Sequence, residues 1–170
     1  MASGVCVIDE LVVDTSALIS WPITELSGAV IVKSQIQELE RHSPSRADMI
    51  DAIGVIVSGP SQDAISSTSM FAMETGDMGG LSVTDLHLVA TAYERGGVLV
   101  TDDYRMQNLA ERMGIRWESV NSDGISQFWT WKLKCLGCGR EYDSPETPAK
   151  RKGLLGECID CGSKLKLKRI

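Results

Sequence analysis

Short apolar runs alternate with stretches of helical spacing through the first 120 residues. Leu-Val-Val-Asp-Thr at 11–15 predicts a first strand and Ala-Val-Ile-Val at 29–32 a second. Helices are predicted over 34–41 and 45–52. Gly-Val-Ile-Val at 54–57 fits either a continuation of the second helix or a short strand, because periodicity does not separate brief apolar runs. The spacing of Ile65, Ala72 and Met73 predicts a helix across 61–76, ended by the loop Gly76-Asp-Met-Gly-Gly80. Over 82–95, Ser82 reads as an N-cap, Leu86, Val89 and Tyr93 as one apolar face, and Gly96-Gly97 as the stop. Val-Leu-Val-Thr at 98–101 predicts a buried strand, 104–113 a helix ended by Gly114, and 115–120 a last strand. Strands separated by helices predict an α/β fold whose parallel sheet is covered by helices on both faces.

The pattern changes after Val120. Asn121-Ser-Asp-Gly124 is a polar turn sequence, which divides the chain into a body over 1–120, a linker over 121–131 and a small module over 132–170. Charge divides at the same place: the body holds seven Lys and Arg against seventeen Asp and Glu, the remainder ten against six. An acidic body with a basic tail suits a nucleic-acid partner if the acids hold metal and the tail meets phosphate. Four of the five cysteines form two pairs, Cys135-Leu-Gly-Cys138 and Cys158-Ile-Asp-Cys161, each followed by a turn-permitting glycine. That spacing points to a structural zinc ribbon with a closed four-sulfur shell, a redox pair or iron–sulfur cluster being the alternatives. Cys6 reads as a small buried strand residue. No apolar run reaches the roughly 18 residues of a membrane span, and the first residues lack the basic and apolar regions of a secretion signal, so the expected location is the cytoplasm.

In doubly wound sheets, ligands gather at the carboxyl ends of the strands. Asp14 falls at the end of the first strand and Asp102 and Asp103 just past a later one. Glu38 sits on the helix after the second strand, and Asp85 one turn into the Ser82 helix. Each has a plain structural role open to it: turn, solvated helix residue, helix-start charge or, for Asp85, the return half of a capping box with Ser82. Together they imply magnesium or manganese, since clustered carboxylates repel one another unless a divalent cation lies among them.

These residues carry a resemblance. Val-Val-Asp14-Thr-Ser-Ala-Leu-Ile, Glu38-Leu, Leu-Ser82-Val-Thr-Asp85 and Val-Thr101-Asp-Asp103 resemble the four acidic motifs of PIN-domain nucleases. With Thr-Gly-Asp77, the run from Thr101 to Ala110 and a ribbon entered by Trp129-x-Trp131, the whole chain is similar to the short archaeal form of the Nin-one-binding (NOB) family. The resemblance implies a PIN fold and an endonuclease of small-subunit ribosome maturation that cuts precursor ribosomal RNA near its mature 3′ end. It also implies a small-subunit precursor and assembly factors as partners. By motif, Asp14, Glu38, Asp85 and Asp103 correspond to the metal-binding acids, with Asp102 able to share or assume the last role. Ser16 and Thr101 are candidates for orienting acids or water, and His42 and His87 belong to no motif.

The ribbon is expected to position RNA through its cations, Lys132, Lys134, Arg140, Lys150, Arg151, Lys152, Lys164, Lys166, Lys168 and Arg169, with Trp129 and Trp131 either stacked on bases or, as the favoured reading, packed against the ribbon or the body. Other classes fit less well. A haloacid-dehalogenase-like phosphatase needs a second Asp where Ser16 stands, and a receiver domain needs a Lys that 115–118 does not offer. A VapC-like toxin ribonuclease lacks a ribbon, and a non-catalytic RNA-binding assembly factor would not need the full set of acids.

Overall fold

The computed structural model describes residues 9–50, 52–121, 129–148 and 155–169; Cys6, most of the 121–124 turn and the cations at 150–152 lie outside the described residues. Strands β1 (Leu11–Val13), β2 (Val30–Ile31), β3 (Ile56–Val57), β4 (Val98–Val100) and β5 (Trp117–Glu118) form one parallel sheet in the order β3-β2-β1-β4-β5. Alternation along each strand builds two cores. Val12, Val30 and Leu99 point to one face, under α4 (Gln62–Thr75), α5 (Val83–Arg95) and α6 (Tyr104–Arg112). Val13, Ile31 and Val100 point to the other, under α1 (Thr15–Ser20), α2 (Lys33–His42) and α3 (Pro44–Ala47).

Residues 54–57 resolve as the edge strand β3, with Ile56 and Val57 both exposed. The helix expected over 45–52 is shorter. Beyond Asp48, bonds to the third residue back replace most of the helical ones, and these turns bring Ile50 into the second core. Tyr93 is also misplaced on the apolar face: burial on α5 runs from Thr84 to Ala92 and stops there, leaving Tyr93 exposed. The loop at 77–80 is a 3-10 turn, entered from Gly76 at φ 78°.

The C-terminal module is an antiparallel sheet of β6 (Trp131–Cys135), β7 (Glu141–Tyr142) and β8 (Leu165–Arg169), in the order β7-β6-β8. Gly139 and Gly162 take positive φ, as the two turns after the cysteine pairs require.

This module is docked on the body. Asn108, fully buried on α6, donates to the Trp129 carbonyl at 2.9 Å and accepts the Trp129 N–H at 2.9 Å, while its amide also donates to Asp77 at 2.7 Å. The Arg105 guanidinium lies 4.2 Å from the centre of the Trp131 ring, and Trp131 stands edge-on to Trp129. The two tryptophans thus pack at the joint as expected. A side chain at Gly76 would strike the Trp131 carbonyl, so the close approach depends on that glycine, while one at Gly80 would displace the Arg105 guanidinium that lies on Trp131.

Candidate active site

The ends of β1 and β4 carry the first two acids. Asp14 N–H bonds to the Val100 carbonyl at 2.9 Å, which extends the β1–β4 ladder by one residue and fixes where the Asp14 side chain starts. Its Oδ1 accepts the Thr15 N–H at 2.6 Å at the start of α1. Its Oδ2 accepts the Thr101 hydroxyl at 3.0 Å and the Ser16 hydroxyl at 3.3 Å. Thr101, fully buried, also accepts the Asp103 N–H at 3.0 Å, so one hydroxyl ties the two strand-end acids together. Asp103 caps α6 by accepting the Arg105 N–H at 2.9 Å.

Glu38 and Asp85 arrive from helices. Glu38 accepts the Thr15 hydroxyl at 2.8 Å, which brings α2 beside the Asp14 turn. Asp85 completes a capping box with Ser82: its carboxylate accepts the Ser82 N–H at 2.8 Å, and its own N–H donates to the Ser82 hydroxyl at 3.1 Å. A bond of 2.9 Å between the Thr84 and Ser34 hydroxyls joins α5 to α2 next to these acids.

Burial pushes the Asp14 carboxyl up to about 6, and the negative charges of Asp85 and Asp103 push in the same direction against the Thr101 and Thr15 hydrogen bonds. Like charges beside a half-buried carboxylate are what a bound cation would neutralise. The donor set, four carboxylates with hydroxyls behind them, suits a hard divalent ion of the magnesium or manganese kind. The carboxylates stand wider apart than a closed metal shell: among the described residues, the four cysteines are the set of ligand atoms drawn within 4.8 Å of one another. Asp102 is placed differently from its neighbour. Its carboxylate accepts the Val120 N–H at 2.8 Å and the Asn121 N–H at 3.1 Å, on the chain leaving β5.

Two residues that sequence reasoning passed over hold this arrangement. Gln35, fully buried, donates to the Val13 carbonyl at 2.9 Å and accepts the Val32 N–H at 2.9 Å, linking the ends of β1 and β2. Gln107, also fully buried, donates to the Thr101 carbonyl at 2.7 Å and to the Ser119 hydroxyl at 3.2 Å, linking the ends of β4 and β5. The available signal was a glutamine near the start of a helix directly after a strand. The sequence assigns Thr15 no role, and Asp77 enters there only as part of the resemblance. Asp77 is fully buried, its Oδ1 has no hydrogen-bond partner, and burial pushes its carboxyl up to about 6.

In the small module, the Cys135 and Cys161 sulfurs lie 3.4 Å apart and those of Cys138 and Cys158 3.5 Å apart. These approach the edge of about 3.8 Å that a tetrahedral shell with 2.3 Å zinc–sulfur bonds would have. The Gly137 and Cys138 amides both point at the Cys135 sulfur, at 3.3 and 3.4 Å, as donors to a thiolate do. The four cysteines are unbridged and able to hold one metal ion.

Residues 11–94 match the family described as the PIN domain of ribonuclease. The chain is 31% identical to endoribonuclease Nob1 of Pyrococcus abyssi over 93% of this chain and 92% of that one. It is 30% identical to ribonuclease VapC1 of Thermoplasma acidophilum over 79% of this chain and 70% of that one. It is 32% identical to the 20S-pre-rRNA D-site endonuclease NOB1 of Saccharomyces cerevisiae, over 65% of this chain and 22% of the yeast protein. With a parallel sheet that carries Asp14 and Asp103 at its carboxyl edge and a cysteine-clustered module docked beside them, the chain belongs to the Nob1 family of PIN-domain endoribonucleases.

Proposed function

We propose that the chain cuts precursor small-subunit ribosomal RNA near its mature 3′ end, with Asp14, Glu38, Asp85 and Asp103 holding a catalytic magnesium or manganese ion. The observation that carries this reading is the convergence of Asp85 and Asp103 on Asp14, whose carboxyl their charges help to raise to about 6. A bound divalent ion supplies the chemistry, generating a nucleophile from water at neutral pH and stabilising charge on the phosphodiester. The protein's own part is to keep the acids ionised and aimed. Thr101 and Ser16 hold Asp14, Thr15 holds Glu38, and the Ser82 capping box holds Asp85. The plain structural role of each acid and its role in binding metal are therefore compatible, since a carboxylate oxygen has lone pairs for both. The amide partners of Asp102 support a structural role for that residue.

The RNA substrate is supported by kinship with the yeast pre-rRNA endonuclease and by the basic module. The division proposed is a nuclease body over 1–120, a linker over 121–131 and a ribbon over 132–170, its cysteines holding zinc as a closed, non-catalytic centre. Small-subunit precursors and their assembly factors are the proposed partners and the cytoplasm the proposed location. Among the described residues, no helix is long and apolar enough to cross a membrane. The test is incubation of the full chain with a transcript spanning the precursor 3′ end. Cleavage in manganese, none in EDTA, and none by Asp14→Asn is expected; metal-independent cleavage, or no cleavage with either ion, overturns the reading.

A further inference from the structure

Between the body and the ribbon lies a cleft of about 540 Å³, within the usual size range of small-ligand sites. One end of it is Asp103, a member of the carboxylate cluster. Its cations are Arg105 from the body and Lys164 and Lys166 from the ribbon, and Leu136, Leu165 and Leu167 give it an apolar wall.

These cations differ from those elsewhere on the ribbon. Lys132 and Lys134 share Glu141, and Arg140 pairs with Asp160. Among the described residues, Lys164 and Lys166 form no ion pair, although Lys166 stands directly opposite Lys134 across the sheet, a like-charge placement that costs stability. The Arg105 guanidinium lies over the Trp131 ring, and its Nη1 is buried against Gly80 with no hydrogen-bond partner. Its charge acts on the buried Asp77. A guanidinium in the lining, two ammonium groups without ion pairs and a leucine wall together match a ligand with an anionic group and a flat apolar body.

We propose that this cleft seats one nucleotide of single-stranded RNA next to the scissile phosphodiester. Its phosphate lies among Arg105, Lys164 and Lys166, and its base lies against the leucines. The proposal rests on the endoribonuclease reading above and adds that the ribbon forms one wall of the substrate site as well as carrying charge. It follows that cleavage depends on which nucleotide flanks the cut and on the ribbon staying docked.

The experiment uses the full chain. Oligoribonucleotides carrying 4-thiouridine at successive positions around the cut are irradiated with the cleavage-deficient Asp14→Asn protein. One flanking position is expected to crosslink to Leu136 or to residues 164–167. In the active protein, an abasic site at that position is expected to lower kcat/KM about tenfold, the scale of one lost base contact. The double variant Lys164→Ala/Lys166→Ala, with both substitutions on the exposed surface, is expected to lower it similarly and to make the abasic penalty disappear. Crosslinks confined to other parts of the chain, or penalties that simply multiply, overturn the cleft. Failure of the wild-type chain to cleave at all overturns the endoribonuclease reading and the cleft with it, whereas normal cleavage without the crosslink overturns the cleft alone.

Discussion

Asp14→Asn tests whether the strand-end carboxylate is held for a cation at the expense of the fold. Burial and the neighbouring acids raise its carboxyl from 3.8 to about 6, so keeping it ionised in the folded, metal-free protein costs about 3 kcal/mol at pH 7. The amide removes that cost. It can still accept from Thr101 and Ser16 through one oxygen, but its NH2 then faces the Thr15 N–H, forfeiting a helix-start bond worth about 1 kcal/mol. The net expectation is a gain of about 2 kcal/mol, or roughly 4–8 °C in Tm for a chain of this size, in buffer free of magnesium and manganese with the ribbon metal left in place. The sign depends on pH. The native carboxyl holds its proton to a higher pH than the unfolded one, so the wild type loses stability as pH rises from about 4 to 6, and above that the difference is constant. The variant should therefore be ahead at pH 7 and behind at pH 4. Manganese should reverse the order at pH 7, because at a hundredfold excess over Kd an ion bound only by the native wild type adds about 2.7 kcal/mol. Thermal melts with and without manganese at the two pH values, beside cleavage assays, read all of this. A variant no more stable than wild type at pH 7 without metal, or one that cleaves normally with it, refutes the reasoning.

Asp103→Asn should abolish metal-dependent cleavage, whereas Asp102→Asn should keep it and lose about 1–2 kcal/mol through its weakened hold on the Val120 and Asn121 amides; chemical denaturation and single-turnover cleavage separate the two. Asp77→Asn keeps an acceptor for Asn108 and removes a fully buried charge whose carboxyl sits at about 6. It should raise stability by up to about 3 kcal/mol at pH 7 and by nothing at pH 4, flattening the fall of wild-type stability between those values in urea titrations at each pH. Gln35→Met, close in volume, orphans the Val32 N–H and should cost about 1–3 kcal/mol while lowering kcat more than it raises KM, because it loosens the strand end that bears Asp14. Cys161→Ala should lose the ribbon's metal, read by elemental analysis, without removing the body's parallel sheet.

The strand-end acids were legible because a parallel sheet leaves little choice. An apolar run ending in Asp, followed at once by helix-starting residues, puts the carboxylate at the carboxyl edge, and Asp14 and Asp103 both stand there. The ribbon was legible from spacing alone, since two cysteine pairs with glycines behind them admit few other geometries. The edge strand β3 was not. Its two residues are exposed and belong to neither core, so no alternation marks them. The shortening of α3 was hidden for a related reason, because the turns that carry Ile50 inward satisfy nearly the same apolar spacing as a helix would. The docking of the ribbon left almost no trace in periodicity. It depends on Asn108, which stands in a helical run, and on glycines whose need becomes evident only when Trp131 and Arg105 press against them.

The supports of the acids explain why the site is stiff at its base while its carboxylates stay apart. Each buried glutamine spans two strand ends, and Thr101 spans two acids, so the positions of Asp14 and Asp103 are set by the sheet and not by their own side-chain preferences. On the metal-binding role proposed above, a cation entering among the carboxylates would gain their attraction without first ordering the backbone. Arg105 connects this edge to the ribbon, since its backbone N–H caps on Asp103 while its guanidinium lies on Trp131. A side chain at Gly80 would push the Arg105 guanidinium off Trp131 and so loosen the tie between the ribbon and the start of α6, where Asp103 stands. Gly80→Ala should lower kcat even though it changes no ligand and no cation, and an unchanged kcat in a folded variant would show that the two domains work independently.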